Sequence, residues 1–311
     1  MKLDDELMVL PAGAAPVVIA PKPRLGIGLI RMLRPRQWTK NALVLAAPAA
    51  AGVLHQVDVL TAASLAVIAF ALASSSTYVV NDLADVEADR AHPVKRHRPI
   101  AAGAVPVPVA RVAAVGLAAA ALAVAQVTAG LALTGIVAAY LVLTLAYSLH
   151  LKHVPIADVA TISSGFVLRA VAGAVAVGVA MSDWFVIVVS AGALFLATGK
   201  RFSELHNLAE RTARTRAALT QYTPSFLRHL LFSAATVAIL SYSLWAFDQP
   251  RTSGAWLALS IAPFALALFN YALLVEQGRA ESPEESVLGD RVTQFLGAAW
   301  AALFAMGVYA T

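Results

Sequence analysis

The sequence predicts an all-α, polytopic membrane protein of about nine transmembrane helices. Three observations carry that expectation. Of 311 residues, 59% are hydrophobic and only 13% are charged, against about 25% charged in a soluble domain. Mean hydropathy is +0.74, and long apolar runs recur along the whole chain, so the membrane holds the fold rather than a single anchor. The runs lack the alternation of barrel strands, and backbone groups in lipid must be satisfied within each segment, which leaves helices. The absence of cysteine excludes disulfides, thiolate catalysis and thiolate-bound metal. The net charge of +5 invites a nucleic-acid partner, but surplus Lys and Arg in a membrane protein first reflect the bias toward cytoplasmic loops, so none is expected.

In chain order, residues 1–25 open with Asp4, Asp5 and Glu6 and are then broken by Pro11, Pro16, Pro21 and Pro23. A signal peptide needs a basic start and an unbroken apolar core, so a flexible cytoplasmic tail is expected, ahead of one transmembrane domain over 26–311. The apolar segments that follow are 39–55, 59–81, 106–126, 130–149, 156–179, 184–199, 225–247, 254–276 and 292–310. Each is near the ~20 residues that cross the hydrocarbon. The first is entered past Arg34, Trp38 and Lys40, an aromatic-plus-cation set that suits a membrane interface or contact with a lipid phosphate. The second runs directly into an acidic stretch. The fifth contains Arg169, which has to be desolvated and so calls for a paired or functional role, and Gly173 and Gly178, which suit close helix packing. Asp158, nearer the start of that segment, reads either as the partner of Arg169 or as a polar helix start.

An odd number of crossings puts the termini on opposite sides. With the N-terminus inside, nearly every Lys and Arg falls in the tail, in the loops after the second, fourth, sixth and eighth segments, or at adjoining helix ends. Arg251 alone lies in an outer loop. That asymmetry puts the chemistry on the cytoplasmic face and the C-terminus on the opposite side; the richness in Ala and Val suggests a high-GC bacterial genome, so a bacterial inner membrane with a periplasmic C-terminus is expected. The two long charged loops, after the second and sixth segments, are four segments apart, which suggests two related halves.

The first of these loops reads YVVNDLADVEADRAHPVKRHRPI, residues 78–100. If the helix continues past the membrane surface, Asp82, Asp85 and Asp89 share one face with Asn81 beside them, and Glu87 points elsewhere. Three carboxylates on one face repel each other unless a cation lies among them, and oxygen ligands without His or Cys suit Mg²⁺. Mg²⁺ usually binds through one or two carboxylates plus substrate phosphates, so a Mg-diphosphate is the expected ligand. The plainer alternative is a solvated acidic helix end paired with Arg90, Lys95, Arg96 and Arg98. Its position at a membrane helix end, with Lys-x-x-Arg-Pro following, favours function. His92, His97, His150 and His153 have no metal-ligand spacing and read as solvated.

Asn81-Asp82-x-x-Asp85-x-x-x-Asp89 followed by Lys95-Arg96-His97-Arg98-Pro99 resembles the first signature of the UbiA-type intramembrane prenyltransferases. The resemblance implies a UbiA-like bundle of nine helices, a cytoplasm-facing site, and carboxylates that bind Mg-diphosphate. In ordinary members, which move a prenyl group from a prenyl diphosphate to an aromatic ring, the loop after the sixth helix carries a second aspartate-rich motif. Here that loop reads TGKRFSELHN, with Lys200, Arg201 and Glu204. A cationic site holds phosphate directly rather than through metal. The substrate should then offer a diphosphate near Asp82 and Asp85 and a separate phosphate for Lys200 and Arg201, the layout of phosphoribosyl pyrophosphate (PRPP). RPRQWTKN (Arg34, Lys40, Asn41), YSLHLKHVPIADV (Tyr147, Lys152, Asp158) and GFVLRAVAGA (Arg169) resemble the branch of the superfamily that transfers 5-phosphoribose from PRPP to a polyprenyl (decaprenyl) phosphate, in the route to cell-wall arabinan.

The resemblance implies Mg²⁺ on Asp82 and Asp85, with Lys95 and Arg98 completing the catalytic set. It implies PRPP contacts from Asn81, Asp89, Tyr147, Lys152, Lys200, Arg201 and Glu204, and lipid-phosphate contacts from Arg34, Lys40, Asn41 and Arg169. The acceptor phosphate is already ionised at neutral pH, its second pKa being about 6, so no general base is required. A prenyltransferase acting on an aromatic acceptor is the alternative; a transporter would place polar groups or broken helices near mid-membrane. Acceptor chain length is open, and so is the choice between a monomer and a homo-oligomer.

Overall fold

A computed structural model describes residues 25–207, 221–249 and 251–310, and those residues are helical throughout, with no strand among them. The expected tail (bar Leu25), Arg211, Arg214 and Arg216 lie outside the described residues. In order the chain forms α1 (Leu25–Met32), a 3-10 helix (Pro35–Leu45), α2 (Ala46–Ala50), α3 (Val57–Ala84), α4 (Val86–Ala91), α5 (Val107–Leu149), α6 (Ala157–Val177), α7 (Asp183–His206), α8 (Pro224–Phe247), α9 (Arg251–Glu276), α10 (Pro283–Gly289) and α11 (Arg291–Tyr309), with short 3-10 turns at Lys95–His97 and Leu151–His153. Among the described residues seven helices are long and apolar enough to cross a membrane: α3, α5, α6, α7, α8, α9 and α11.

The expected third and fourth segments are both inside α5. A straight helix of 43 residues would run about 65 Å, twice the hydrocarbon thickness. It does not run straight. Ala129 (φ −147°, ψ 30°) and Gly130 (φ 61°, ψ −150°) leave the helical region, and Gly130 adopts a conformation that side chains oppose. Ala114, Val115 and Ala118 before the break line one groove with Leu141, Thr144, Leu145 and Ser148 after it, so the halves lie antiparallel.

The expected first segment, 39–55, departs from a regular α-helix. Pro35 starts a 3-10 helix of 11 residues, followed by only five residues of α2, within which Pro48 lacks a donor. Runs of 3-10 helix this long are uncommon, and tertiary packing holds this one. A Cβ on Gly173 of α6 would stand 1.7 Å from the Val44 carbonyl oxygen, so only glycine admits that backbone. Trp38 Nε1 donates to Ser75 Oγ on α3 at 3.0 Å. The segment still traverses the bundle. Arg34 meets Asp82 at one end, while Gly52 lies against Val308, His55 against the Tyr309 ring, and Ala49 accepts from the Tyr309 hydroxyl at the other.

Among the described residues two larger apolar cores form, beside a smaller third around Met32, Val79, Ile100 and Val105. One joins the 3-10 segment, α3, α5 and α6 around Phe70, Leu133, Val137 and Tyr140; the other joins α6, α7, α8 and α9 around Phe195, Leu227, Leu231 and Tyr271. α6 against α7 is the seam between them. The charged ends of α3 and α7 approach this seam from either side, with residues 147–158 running between them.

Candidate functional site

α3 ends at Ala84 because Asp85 (φ −99°, ψ 9°) leaves the helix, and α4 restarts at Val86. The expected uninterrupted helix is therefore broken at Asp85, and the three carboxylates expected on one face divide two and one. Asp82 and Asp89 are buried and share Arg98, whose Nη1 donates to Asp82 Oδ1 at 3.0 Å and to Asp89 Oδ2 at 2.7 Å. Arg34 Nη2 donates to the same Asp82 oxygen at 2.5 Å, with its guanidinium 5.1 Å from the Tyr78 ring centre. Arg34 itself is held in a left-handed conformation, φ 54°. Asp85 is the accessible one: its side chain is 34% exposed, against 1% for Asp82 and 3% for Asp89. Lys152 Nζ stands 3.3 Å from Asp85 Oδ1, and Asn81 Nδ2 lies 3.4 Å from Oδ2. Glu87 points away, 81% exposed, and pairs with Arg90. Lys95 sits in the turn after α4, whose backbone N–H donates to His92 Nδ1, so His92 caps that turn.

At the end of α7, Arg201 is buried and donates four hydrogen bonds. Its Nε and Nη2 clamp Asp158 at 2.5 and 2.7 Å, Nη2 also donates to the Tyr147 hydroxyl at 2.7 Å, and Nη1 pairs with Glu204. The Tyr147 hydroxyl donates to Asp158 Oδ1 at 3.0 Å. Where a direct phosphate contact was expected, Arg201 is held by protein partners: desolvation at this depth demands compensating carboxylates, and two of them take up most of its donors. Lys200 stays partly exposed, its Nζ 4.0 Å from Glu204 Oε1.

Arg169 and Asn41, expected at a lipid phosphate, are buried together away from either cluster. Arg169 Nε donates to Asn41 Oδ1 at 2.8 Å, Nη2 to the Tyr140 hydroxyl at 3.0 Å and Nη1 to the Gly165 carbonyl at 2.6 Å, and the guanidinium lies over the Tyr140 ring at 4.7 Å. They fasten the irregular first segment to α6. Lys40 and Arg34 remain at the mouth, where Lys40 Nζ donates to Gln37 Oε1 at 2.6 Å. The ion pair weighed between Arg169 and Asp158 does not form, because Asp158 faces Arg201.

Among the described residues no three of His, Asp and Glu converge closely enough to hold a metal unaided. The donor chemistry nonetheless suits a hard cation that brings most of its ligands with it: Asp82 and Asp85 are one helical turn apart, Asp85 is exposed, and the neighbours are oxygens and cations rather than imidazole. Sequence reasoning missed Tyr140 and Tyr222, whose hydroxyls bind across the fold to Arg169 and to the Ile156 backbone; lone tyrosines in or beside apolar runs carry no spacing signal.

The sequence model of the UbiA prenyltransferase family matches residues 42–296. A decaprenyl-phosphate phosphoribosyltransferase of Mycobacterium tuberculosis H37Rv is 47% identical, covering 92% of this chain and 96% of that protein. The enzyme of the same name from Corynebacterium glutamicum is 45% identical over 93% of this chain and 89% of its own. Among solved structures, a UbiA homolog from Archaeoglobus fulgidus bound to GPP and Mg²⁺ superposes with a TM-score of 0.67 at 18% identity, covering 91% of this chain and 100% of that one.

Proposed function

The chain belongs to the UbiA prenyltransferase family, and we propose that within it the protein transfers 5-phosphoribose from PRPP to decaprenyl phosphate, releasing diphosphate as a step toward cell-wall arabinan. The carrying observation is the pair of ion clusters at the seam. One keeps an exposed carboxylate among cations; in the other, Arg201 and Lys200 together balance Asp158 and Glu204. Only the first retains an oxygen face for a metal, which suits a donor with one diphosphate and a second, separate phosphate.

In this reading Asp85, with Asp82 behind it and Asn81 beside it, would hold Mg²⁺, which neutralises charge on the leaving diphosphate when bound. Lys152, Lys95, Arg98 and Arg34 surround the same diphosphate with positive charge. Lys200 meets the 5-phosphate, with Glu204 setting its position, and Lys40 meets the acceptor phosphate at the membrane surface. Arg201, Tyr147 and Asp158 hold the loop that carries Lys152. Asp89 orients Arg98. An oxygen of the acceptor phosphate forms the new bond to C1 of the ribose as the C1–O bond to diphosphate breaks, and the bonding pair leaves with diphosphate. The acceptor is already an anion, so no proton has to be removed, and catalysis rests on positioning and charge neutralisation. The site faces the cytoplasm, the side that the Lys/Arg bias assigns to it.

The deciding assay uses purified protein in detergent with PRPP and decaprenyl phosphate, with and without Mg²⁺, and in parallel a prenyl diphosphate with an aromatic acceptor. Formation of the phosphoribosyl lipid only with Mg²⁺ is the expected result. Prenylation of the aromatic acceptor with no phosphoribosyl product would overturn it.

A further inference from the structure

The turn that delivers Lys152 is strained. Ile156 adopts φ 66° and ψ −52°, and the Ala157 N–H donates to the Pro155 carbonyl at 2.7 Å. That is a three-residue γ-turn of the rare positive-φ kind, centred on a β-branched residue that ordinarily avoids it. A strained turn persists only where its surroundings over-determine it. Here the Ile156 N–H donates to the hydroxyl of Tyr222, at 2.7 Å and 66 residues along the chain. Tyr222 is buried in the α6–α9 core and stacks on Phe226 with centroids 6.1 Å apart and planes 10° from parallel. Its ring is fixed independently of the bond it accepts. Four residues before Ile156, Lys152 reaches Asp85; two residues after it, Asp158 meets Arg201. The γ-turn therefore sets the spacing between the two ion clusters.

We infer that Tyr222 is a positioning residue: its hydroxyl holds the Ile156 turn and thereby aims Lys152 at Asp85 and at the donor diphosphate. The last phrase rests on the PRPP reading; the aim at Asp85 does not.

Two measurements on the full-length protein in detergent separate these layers. The first needs no substrate: the rate at which an amine-reactive reagent labels Lys152, read by peptide mass spectrometry. Tyr222→Phe keeps the ring and removes the acceptor, and should raise that rate by about two- to tenfold, the worth of one neutral hydrogen bond. Glycine accepts positive φ without penalty, so in an Ile156→Gly background the same change should raise it much less. The second is turnover. Tyr222→Phe should raise KM for PRPP over the same range with kcat little changed, and should add nothing in a Lys152→Ala background, because it acts through that lysine. Unchanged Lys152 labelling in Tyr222→Phe overturns the proposal. So does an equal effect in the Ile156→Gly background, or a full additional loss on top of Lys152→Ala. If wild-type protein does not use PRPP, the substrate reading fails and the labelling result alone decides whether Tyr222 aims Lys152.

Discussion

Asp82 and Asp85 are three residues apart and have different work. Asp82 is enclosed by two guanidinium groups, whereas Asp85 faces outward to Lys152. Asp85→Ala should abolish Mg²⁺-dependent PRPP binding while leaving the fold intact. Asp82→Ala should also abolish turnover, but it releases Arg34 and Arg98 and should lower thermal stability as well. Glu87→Ala, exposed and paired only with Arg90, should be mild. Titration of PRPP and melting curves on the three variants check this, and equal loss in all three would undo the division. Lys200 and Arg201 separate in the same way. Lys200→Ala should weaken PRPP by about tenfold to over a hundredfold, the range for losing a charge-assisted hydrogen bond, and should hardly change binding of free Mg-diphosphate. Arg201→Ala strips the cation from a buried carboxylate, which costs about 3–5 kcal/mol of stability and should show as unfolding rather than as a KM effect.

Helices here are positioned by single close contacts. Gly173 is the point where α6 meets the backbone of the irregular first segment, and a methyl group there has nowhere to go. Gly173→Ala should destabilise by roughly 1–3 kcal/mol, as overpacking does, whereas Gly192→Ala in α7, with nothing within 4 Å of the added carbon, should be neutral or slightly stabilising. Thermal unfolding of the two variants distinguishes them. At the other end of the chain Asp290 caps α11 by accepting from the Thr293 backbone N–H at 2.8 Å, and this bond holds its carboxyl below the usual 3.8. Since the folded-state pKa is depressed, the cap's contribution is complete above pH 3.8 and is lost as pH falls through the lower folded value. Protection factors in the first turn of α11, that is exchange rates referred to the intrinsic rate at each pH, should therefore be high at neutral pH and fall below that point; Asp290→Ala should lower them at neutral pH and remove that fall.

Across the whole molecule, the acidic end of α3 and Tyr309 at the end of α11 lie at opposite ends of the bundle, since the first segment runs from Arg34 beside Asp82 to His55 beside Tyr309. Combined with the Lys/Arg bias, this leads to a topology test. A reporter fused after Thr311 should be periplasmic, and one inserted within 205–220 should be cytoplasmic. A cytoplasmic C-terminus would mean that the first segment does not cross.

Composition and the asymmetry of Lys and Arg were sufficient to establish a helical membrane protein, because insertion into lipid is decided segment by segment from hydropathy and flanking charge. That residues 81–89 gather carboxylates at a helix end was likewise legible, although the break at Asp85 turns Asp82 and Asp89 to Arg98 and Asp85 to Lys152 instead of leaving all three on one face. Three things were not. That residues 35–45 fold as a long 3-10 helix rather than an α-helix depends on Gly173 and Arg169, more than a hundred residues away. That Arg201 is buried in a clamp depends on Asp158 and Tyr147 reaching it from two other helices, α6 and α5. That Lys152 meets Asp85 depends on a strained turn held by Tyr222. A charged side chain in lipid takes whichever counter-charge the packing brings within about 3 Å, and proximity between distant segments is set by tertiary packing, which local sequence spacing does not encode.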